Sequence, residues 1–476
     1  MRVFVTGATG FIGRALVPLL QRHGHTVVAW SRSERGARNV LGAEVEIASA
    51  AGGVASLPQV VDGCDAVVNL AGAPLMEGRW TPARRAILEK SRIETTRGLV
   101  RAIAEATARP RVLISGSAVG YYGDRHEERL TESSAPGDDF LASLCQQWEQ
   151  AANEANALGV RVVTLRTGIV LGKGGGALAQ MLPPFVFGVG GPIGTGRQYV
   201  PWIHLHDFVK VIAVALEDER YRGPLNGVAP QQATSRDFAR AIGRAVHRPA
   251  IFPVPAVALK VIFGEAAATL LASQRVEATG LTERQFPFDF PSLDAALADI
   301  VGGTHVTIAR AEARPEGTEA ASYELRSRTV VDAPLDETFA FFSKAANLGF
   351  ITPADMKFSI EGGIPPMAQG ALIDYRLRVG PIPVRWRTRI ARWEPGHSFV
   401  DIQEKGPYRV WWHEHTFRAD GNRTIMEDRV LYAAPLGILG RLANGLFVAP
   451  TLRKVFQFRG DVIRLRFGVV QDADVP

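Results

Sequence analysis

The sequence predicts an α/β fold with a doubly wound parallel sheet, followed by a separate α+β domain. Three observations support this prediction. Apolar strands alternate with amphipathic helices from residue 1 to about 167, which is the order expected of a parallel sheet with right-handed crossovers. A glycine-rich turn follows the first strand directly. Beyond residue 322, short strands of alternating polar and apolar residues are typical of an antiparallel sheet.

Length and composition restrict the class of protein. A chain of 476 residues, 46% hydrophobic and 21% charged, is globular and long enough for two or three domains. The net charge of +6 is spread thinly, and no basic run indicates binding to nucleic acid. Two cysteines, Cys64 and Cys145, cannot form a disulfide framework. The glycine turn stands where the apolar core of a secretory signal would lie, so we expect a cytoplasmic protein without stable membrane insertion.

The first strand and the turn after it predict a dinucleotide site. Val3, Phe4 and Val5 form a continuous apolar run that is typical of a buried strand. Glycines then follow at G-x-x-G-x-x-G spacing, before an amphipathic helix. Glycine lets the backbone approach a pyrophosphate, and the helix N-terminus offers unpaired N–H groups to it. This Rossmann-type arrangement predicts cofactor contacts from residues of the turn: Gly7, Thr9, Gly10, Phe11, Ile12 and Gly13.

The end of the second strand predicts NADP rather than NAD. An acidic residue at this point binds the ribose hydroxyl of NAD, whereas an arginine accommodates the 2′-phosphate of NADP. Residues 29–33 contain no Asp or Glu, but they contain Arg32, and Arg35 is a second candidate. A solvent-exposed arginine without a ligand is the alternative. The ends of the fourth and fifth strands add further predicted cofactor contacts: Leu70, Ala71, Gly72 and Ser115.

Several motifs resemble those of the extended short-chain dehydrogenases/reductases. They are TGATGFIG (6–13), NLAG (69–72), SGSAVGYYG (115–123) and PWIHLHD (201–207). Three more resemble the atypical branch of sugar-nucleotide-epimerase-like proteins: FLASLCQQWEQ (140–150), GGGAL (174–178) and FPF (286–288). The resemblance covers residues 1–301. It implies an NAD(P)-binding domain with a smaller substrate lobe at about 172–301, and an epimerase or oxidoreductase acting on a small molecule.

The chain departs from this family at the catalytic pair. Extended members carry Tyr-x-x-x-Lys on the helix after the fifth strand, with a Glu four residues beyond the Lys. If Glu149 is that Glu, Leu141 and Cys145 stand at the Tyr and Lys positions. A phenol with a pKa of ~10 needs a neighbouring cation to act near neutral pH, so the usual mechanism does not transfer. We predict instead that Ser117 and Tyr122 polarise the substrate; the alternative is that both only line the cofactor pocket.

Four other residues are predicted to contact the substrate, at strand ends and in the PWIHLHD motif: Tyr121, Arg166, Trp202 and His204. Core packing is the alternative for Trp202. The spacing of His204, His206 and Asp207 suggests a metal site, but neither a third histidine nor a cysteine cluster completes a ligand set. We therefore predict no metal.

A linker is predicted at 302–321, in which residues 305–308 could form a short strand, and a second domain is predicted at 322–470. This domain ends in a long helix predicted from about 436 to 467, with a kink at Pro450. Its strand, short helices, antiparallel strands and long terminal helix resemble the helix-grip fold of the START/Bet v 1-like (SRPBCC) superfamily. VVDAPLDETF (330–339) is the most recognisable piece. The resemblance implies an apolar cavity for a hydrophobic ligand. Aromatic residues are candidates to line it, with plain core packing as the alternative: Phe339, Phe342, Tyr375, Trp386, Trp411 and Phe447.

Two functions are consistent with these features. The first is an NADP-dependent epimerase or oxidoreductase whose substrate, a nucleotide sugar or an apolar carbonyl compound, is delivered or shaped by the C-terminal domain. The second is a non-catalytic regulatory protein that senses NADP and holds a hydrophobic ligand. The missing Tyr-x-x-x-Lys pair favours the second, whereas the intact glycine turn, Arg32 and Ser117 favour the first, which we prefer. The sequence does not determine the oligomeric state.

Overall fold

A computed structural model describes residues 1–42, 44–172, 175–186, 188–302, 305–312, 315, 318, 320–379, 382–421, 423–435, 440 and 444–467. The chain divides into two compact units. The first unit comprises Met1–Ala37 and Val45–Gly302, and the second comprises Arg38–Glu44 and Gly303–Pro476. Within the described residues, no helix is both long enough and apolar enough to cross a bilayer.

The strands up to residue 302 are β1 (Arg2–Thr6), β2 (Thr26–Ser31), β3 (Glu46–Ser49), β4 (Ala66–Asn69), β5 (Val112–Ala118), β6 (Arg129–Leu130), β7 (Arg161–Thr167), β8 (Ile169–Leu171), β9 (Trp202–His204), β10 (Gly223–Gly227) and β11 (Arg275–Val276). The helices are α1 (Phe11–Arg22), α2 (Glu34–Leu41), α3 (Pro58–Val61), α4 (Pro82–Glu89), α5 (Thr95–Glu105), α6 (Phe140–Asn153), α7 (Gly176–Val186), α8 (Leu205–Glu217), α9 (Ser235–Ala245), α10 (Ala256–Phe263), α11 (Ala267–Leu271), α12 (Thr279–Glu283) and α13 (Leu293–Gly302).

Seven parallel strands form the main sheet of the first unit, in the order β3-β2-β1-β4-β5-β7-β10. The predicted doubly wound parallel sheet is therefore confirmed. The strand order runs outward from β1 through β2 to β3 on one side and from β4 through β5 and β7 to β10 on the other. The order therefore reverses between β1 and β4, and ligands bind at the carboxyl ends of the strands at such a topological switch point. The six predicted strands are present. The seventh, β10, was not predicted, because its Gly-Pro-Leu-Asn-Gly sequence lacks an apolar run.

Burial explains why these segments are strands. Phe4, Val67 and Leu113 in β1, β4 and β5 have no exposed surface, because helices cover both faces of a parallel sheet. A second apolar cluster forms the core of the region after β7. It contains Leu171, Trp202, Phe238, Ile242 and Leu297, among others, and it holds α9 and α13 together.

An antiparallel sheet of eight strands forms the second unit, in the order β12-β13-β19-β18-β17-β16-β15-β14. The strands are β12 (His305–Arg310), β13 (Tyr323–Val331), β14 (Ser359–Glu361), β15 (Leu372–Val379), β16 (Ile382–Glu394), β17 (Ser398–Lys405), β18 (Val410–Asp420) and β19 (Arg423–Ala433). The α-helices described after residue 305 are α14 (Leu335–Phe342) and α15 (Ala449–Phe467). The predicted antiparallel sheet is confirmed.

The structure bears on two predicted boundaries of the second unit. Residues 305–310 of the predicted linker form β12, which pairs with β13; a short strand at 305–308 was the alternative to a linker there. The closing helix was predicted from about 436, with a kink at Pro450. Residues 436–439 and 441–443 lie outside the described part, and a π-helical turn spans Asn444–Val448. Pro450 stands in the first α-helical turn after this π-helical turn.

Candidate functional site

The glycine turn between β1 and α1 has no room for side chains. Gly7 has a φ of +69°, and a Cβ there would lie 2.7 Å from the carbonyl oxygen of Leu70. A Cβ at Gly13 would lie 2.3 Å from the Gly7 oxygen. Gly10 is the N-cap of α1 and carries no side chain that would compete for the N-terminal N–H groups. The turn and the β4 loop thus form a bare backbone surface, of the kind that binds a pyrophosphate.

A buried hydrogen-bond network fixes the β4 loop against this turn. Thr6 Oγ1 donates to Asn69 Oδ1 at 2.7 Å and accepts from the Ala71 N–H at 3.1 Å. Asn69 Nδ2 donates to Thr96 Oγ1 at 2.8 Å, and Trp148 Nε1 donates to the same oxygen at 3.0 Å. The network joins β1, β4, α5 and α6. Sequence reasoning missed Thr96 and Trp148, because nothing local marks their partners.

The residues predicted to bind the cofactor fall into an accessible group and a buried one. Thr9, Gly10 and Gly72 are exposed, while Gly7, Phe11, Ile12, Leu70 and Ala71 are partly exposed. A Cβ at Gly175 or Gly176 would meet the Phe11 ring at 2.5 or 2.9 Å, so this glycine loop packs on the turn.

Two of the predicted cofactor contacts are buried. Gly13 is buried and shapes the turn from beneath. The contact predicted for the Ser115 side chain needs correction. Ser115 has no exposed surface, and its hydroxyl donates to the Gly116 carbonyl at 3.3 Å.

Arg32 is the first residue after β2, and its side chain is exposed. Because β2 is parallel to β1 and adjacent to it, Arg32 lies at the same edge of the sheet as the glycine turn. This is the edge at which an adenosine ribose of a bound dinucleotide would lie.

The predicted catalytic pair is part of a buried ion-pair network. Ser117 Oγ donates to Glu149 Oε1 at 2.6 Å, and Arg166 Nε and Nη2 each donate to that carboxylate at 2.9 Å. Arg166 Nη1 donates to the Tyr122 hydroxyl at 3.0 Å, and this hydroxyl lies 2.7 Å from Asn226 Oδ1. Tyr122 has no exposed surface, and burial raises its pKa to about 12, although Arg166 opposes the shift.

These contacts weigh against the prediction that Ser117 and Tyr122 polarise a substrate. The one hydroxyl proton of Ser117 is directed at a carboxylate, and the Tyr122 hydroxyl is enclosed by protein partners. Both side chains position neighbouring groups. Cys145 on α6 is equally unsuited to proton transfer, since burial raises the pKa of its thiol to about 12.

Three of the four predicted substrate residues are buried. Arg166 is engaged by Glu149, and Trp202 is 1% exposed in the core of the lobe. His204 is the N-cap of α8, where its Nδ1 accepts from the His206 N–H at 3.1 Å. Tyr121 alone among the four is partly exposed, and its ring lies 3.5 Å from the Arg166 guanidinium carbon.

A cation that the sequence analysis did not single out borders the β4 loop. Arg92 stands in a π-helical turn (Lys90–Glu94), a feature that often marks functional sites. Its guanidinium lies 3.1 Å from the position of a Cβ at Gly72 and donates to the Ala73 carbonyl at 2.9 Å. Arg92 is 8% exposed, and burial lowers its pKa. No acidic side chain among the described residues pairs with it.

Comparison with known proteins places the first unit among epimerases. The model of the NAD dependent epimerase/dehydratase family matches residues 3–225, and that of a domain of unknown function (DUF1731) matches residues 254–300. Epimerase family protein SDR39U1 of Bos taurus is 40% identical over 306 residues, which are 63% of this chain and 100% of that protein.

Two solved structures are similar over the same region. Human epimerase family protein SDR39U1 (isoform 2) with NADPH has a TM-score of 0.58 and 37% identity, covering 64% of this chain and 100% of that one. The nucleoside-diphosphate sugar epimerase from Corynebacterium glutamicum has a TM-score of 0.51 and 31% identity, covering 63% of this chain and 58% of that one.

Proposed function

The chain belongs to the epimerase family that includes SDR39U1, and we propose that its first unit binds NADPH and acts on a small carbonyl or hydroxyl compound. The glycine turn carries this proposal, because a Cβ at Gly7 or Gly13 would collide with backbone atoms. Such a cradle fits a pyrophosphate. The expectation of NADP rather than NAD agrees with the NADPH in the structure of the human relative.

We assign the 2′-phosphate of the cofactor to Arg32. Its exposed side chain follows β2, where a guanidinium can form charge-assisted hydrogen bonds with phosphate oxygens. NADH lacks this phosphate, so Arg32 would contribute to the binding of NADPH alone.

Replacing Arg32 with alanine should weaken NADPH binding about 10- to 100-fold and leave NADH binding nearly unchanged, since a hydrogen bond to a charged group contributes roughly 1.5–3 kcal/mol. Titrations followed by nicotinamide fluorescence measure both affinities. Arg111→Ala is the matched control, because Arg111 is an exposed arginine before the amino end of β5. An Arg32→Ala variant that retains the NADPH preference of the wild type would refute the assignment.

We infer that a redox reaction in this unit uses an electrophilic group other than the Tyr-Lys pair of the family. Bound NADPH supplies the hydride. Leu141 and Cys145 stand where we align the pair, and neither can polarise an oxygen. Arg92 is our candidate for this group, since its buried guanidinium borders the β4 loop and has no acidic partner among the described residues. A guanidinium there would stabilise negative charge on a substrate oxygen. A nucleotide sugar is our preferred substrate class, in line with the name of the Corynebacterium relative.

A regulatory role without turnover is the second candidate, and the enclosed Tyr122 hydroxyl favours it. Incubation of the NADPH complex with a panel of nucleotide sugars and apolar ketones separates the two. Oxidation of NADPH, or interconversion of epimers, supports the enzyme. Unchanged reactants with tight NADPH binding support the sensor.

For the second unit we propose a helix-grip domain that holds a hydrophobic ligand. The antiparallel sheet and the helix α15 support the fold. Phe339, Phe342 and Trp386 are buried in the core, whereas Phe447 is exposed. Tyr375 and Trp411 are half-buried and lie 5.9 and 5.1 Å from the Trp386 ring, which makes this aromatic group the candidate contact surface.

A fluorescent fatty-acid analogue should therefore bind the full-length protein and quench its tryptophan fluorescence. Trp386→Leu should weaken this binding, whereas Trp30→Leu in the first unit should not. Equal binding of the analogue to both variants would argue against the aromatic group as the ligand-contact surface.

A cytoplasmic location of the protein stays a prediction.

A further inference from the structure

Five ionisable side chains form a buried cluster in the second unit. Asp401 on β17 stands opposite His413 on β18, and His415 stands opposite Asp428 on β19. Residues two apart in a strand share one face, so the four side chains meet on one side of the sheet, and Arg459 of α15 completes the cluster. His413, His415, Asp428 and Arg459 are all more than nine-tenths buried.

Each imidazole contacts both carboxylates. His413 Nδ1 and His415 Nε2 lie 3.2 and 3.0 Å from Asp401 Oδ2. On the other side, His413 Nε2 and His415 Nδ1 lie 3.2 and 2.8 Å from Asp428 Oδ1. The two ring centroids are 3.7 Å apart. Arg459 Nη2 lies 3.2 Å from Asp428 Oδ1 and 2.9 Å from His415 Nδ1.

Hydrogen bonds alone do not account for this arrangement. With both carboxylates ionised, all four His–Asp contacts can be hydrogen bonds only if both imidazoles carry two protons. That would stack two cations and place a third, Arg459, beside them. If instead His415 is neutral and accepts from Arg459, its 2.8 Å contact with Asp428 brings two acceptors together. Asp428 Oδ2 is also buried without a hydrogen-bond partner among the described residues, which is costly in an apolar interior.

We propose that Asp401 Oδ2, His413 Nδ1 and His415 Nε2 bind a divalent transition-metal ion. Bonds of about 2.1 Å at tetrahedral or octahedral angles separate neighbouring ligand atoms by roughly 3.0–3.4 Å, and the two distances from Asp401 Oδ2 agree with this spacing. Both imidazoles are then neutral. Each directs its lone pair to the ion and its N–H to Asp428, as histidine ligands usually do with an outer carboxylate. Arg459 then donates to Asp428 Oδ1, which lies 3.2 Å from its Nη2, and no longer to His415 Nδ1.

The surroundings fit a structural or ligand-orienting ion inside an apolar domain. The Phe399 ring lies 4.0 Å from the His415 ring, and the Phe456 ring lies 5.3 Å from that of His413. Arg459 neutralises the outer carboxylate of Asp428. Two nitrogens and one oxygen suit zinc, iron or cobalt better than calcium or magnesium. Three protein ligands leave at least one coordination position for water or a ligand oxygen.

The site was absent from the sequence-based prediction, in which no metal was expected. His413-x-His415 has the same spacing as His204-x-His206, which was rejected as a metal site. The difference lies in the third ligand. Asp401 reaches His413 and His415 only through the pairing of β17 with β18, and this pairing is not visible in the sequence.

Zinc titration of chelator-treated full-length protein tests the proposal. We expect one tight equivalent by calorimetry and by metal analysis of the dialysed protein. Asp401→Asn should abolish this equivalent, and Asp428→Asn should weaken it roughly 10- to 100-fold. His23→Gln is the control, because His23, His25 and Glu217 form another group with metal-ligand spacing; this variant should bind zinc like the wild type.

Cobalt substitution provides a test that needs no variant. The wild-type protein should give visible d–d absorption without thiolate charge transfer, since neither cysteine belongs to the cluster. Absence of a stoichiometric zinc or cobalt site in the wild type would overturn the proposal and identify the cluster as metal-free ion pairs. Unchanged zinc binding by a folded Asp401→Asn variant would also overturn it.

Discussion

Replacing Arg166 with methionine is expected to destabilise the first unit by about 3–5 kcal/mol, the usual cost of removing one partner from a buried ion pair. Arg166 donates two hydrogen bonds of 2.9 Å to Glu149, which is 7% exposed. Without Arg166, the Ser117 hydroxyl would be the one hydrogen-bond partner left to this carboxylate among the described residues. The Tyr122 hydroxyl and the Glu132 carbonyl would lose a donor as well.

Hydrogen exchange of β5 and β7 amides in the full chain measures this loss in the first unit separately from the second. Arg244→Met is the matched control: Arg244 pairs with Asp294 at an exposed site, where an ion pair contributes roughly 0–1 kcal/mol. Changing Glu149 to methionine in the Arg166→Met background should restore part of the stability, because no unpaired charge then remains buried. Equal losses of stability for Arg166→Met and Arg244→Met would contradict the stabilising role given to the buried Arg166–Glu149 pair.

Replacing Gly13 with alanine is expected to weaken NADPH binding roughly 10- to 100-fold. The new Cβ would lie 2.3 Å from the Gly7 carbonyl oxygen and 2.5 Å from the Ala8 Cα. Both are backbone atoms, so relief requires movement of the turn itself. Overpacking of this kind costs about 1–3 kcal/mol, and each 1.4 kcal/mol taken from binding is a tenfold loss in affinity.

Fluorescence titration with NADPH measures the effect. Gly52→Ala is the control, because its Cβ would meet Ser56 Cβ at an ordinary 3.5 Å and its φ is −80°. A folded Gly13→Ala variant with wild-type affinity would show that the turn does not hold the cofactor.

The two predictions concern different parts of the first unit. Gly13 shapes the surface on which we place the pyrophosphate, whereas Arg166 holds Glu149, Ser117 and Tyr122 in fixed positions. An Arg166→Met variant that still folds would therefore be expected to keep its glycine turn. Gly13→Ala would in turn be expected to leave the ion-pair network intact. Measuring the stability and the NADPH affinity of both variants distinguishes the structural role of Arg166 from the cofactor-binding role of Gly13.

The sequence by itself determined the features that depend on neighbouring residues. Three such features are local patterns. The apolar run Val3–Val5 predicts a buried strand, and the glycine spacing after it predicts a turn whose backbone can approach a pyrophosphate. The charge and position of Arg32 predict a contact with a 2′-phosphate. Alternation of strands and helices likewise fixed the parallel sheet, and alternation of polar and apolar residues fixed the antiparallel one. Strand β10 was not predicted, because its short sequence forms a strand through pairing with β7.

The tertiary structure decided which side chains meet and which remain accessible. Ser117 and Tyr122 stand in a motif that suggested catalysis, but Glu149 and Arg166, distant in sequence, enclose them. Asp401 joins His413 and His415 through strand register alone. A side chain's chemistry is set by its burial and its partners, and both depend on contacts between segments far apart in the chain. The sequence therefore determined the two sheets and the candidate cofactor cradle, and the packing around those sheets decided what their polar residues can do.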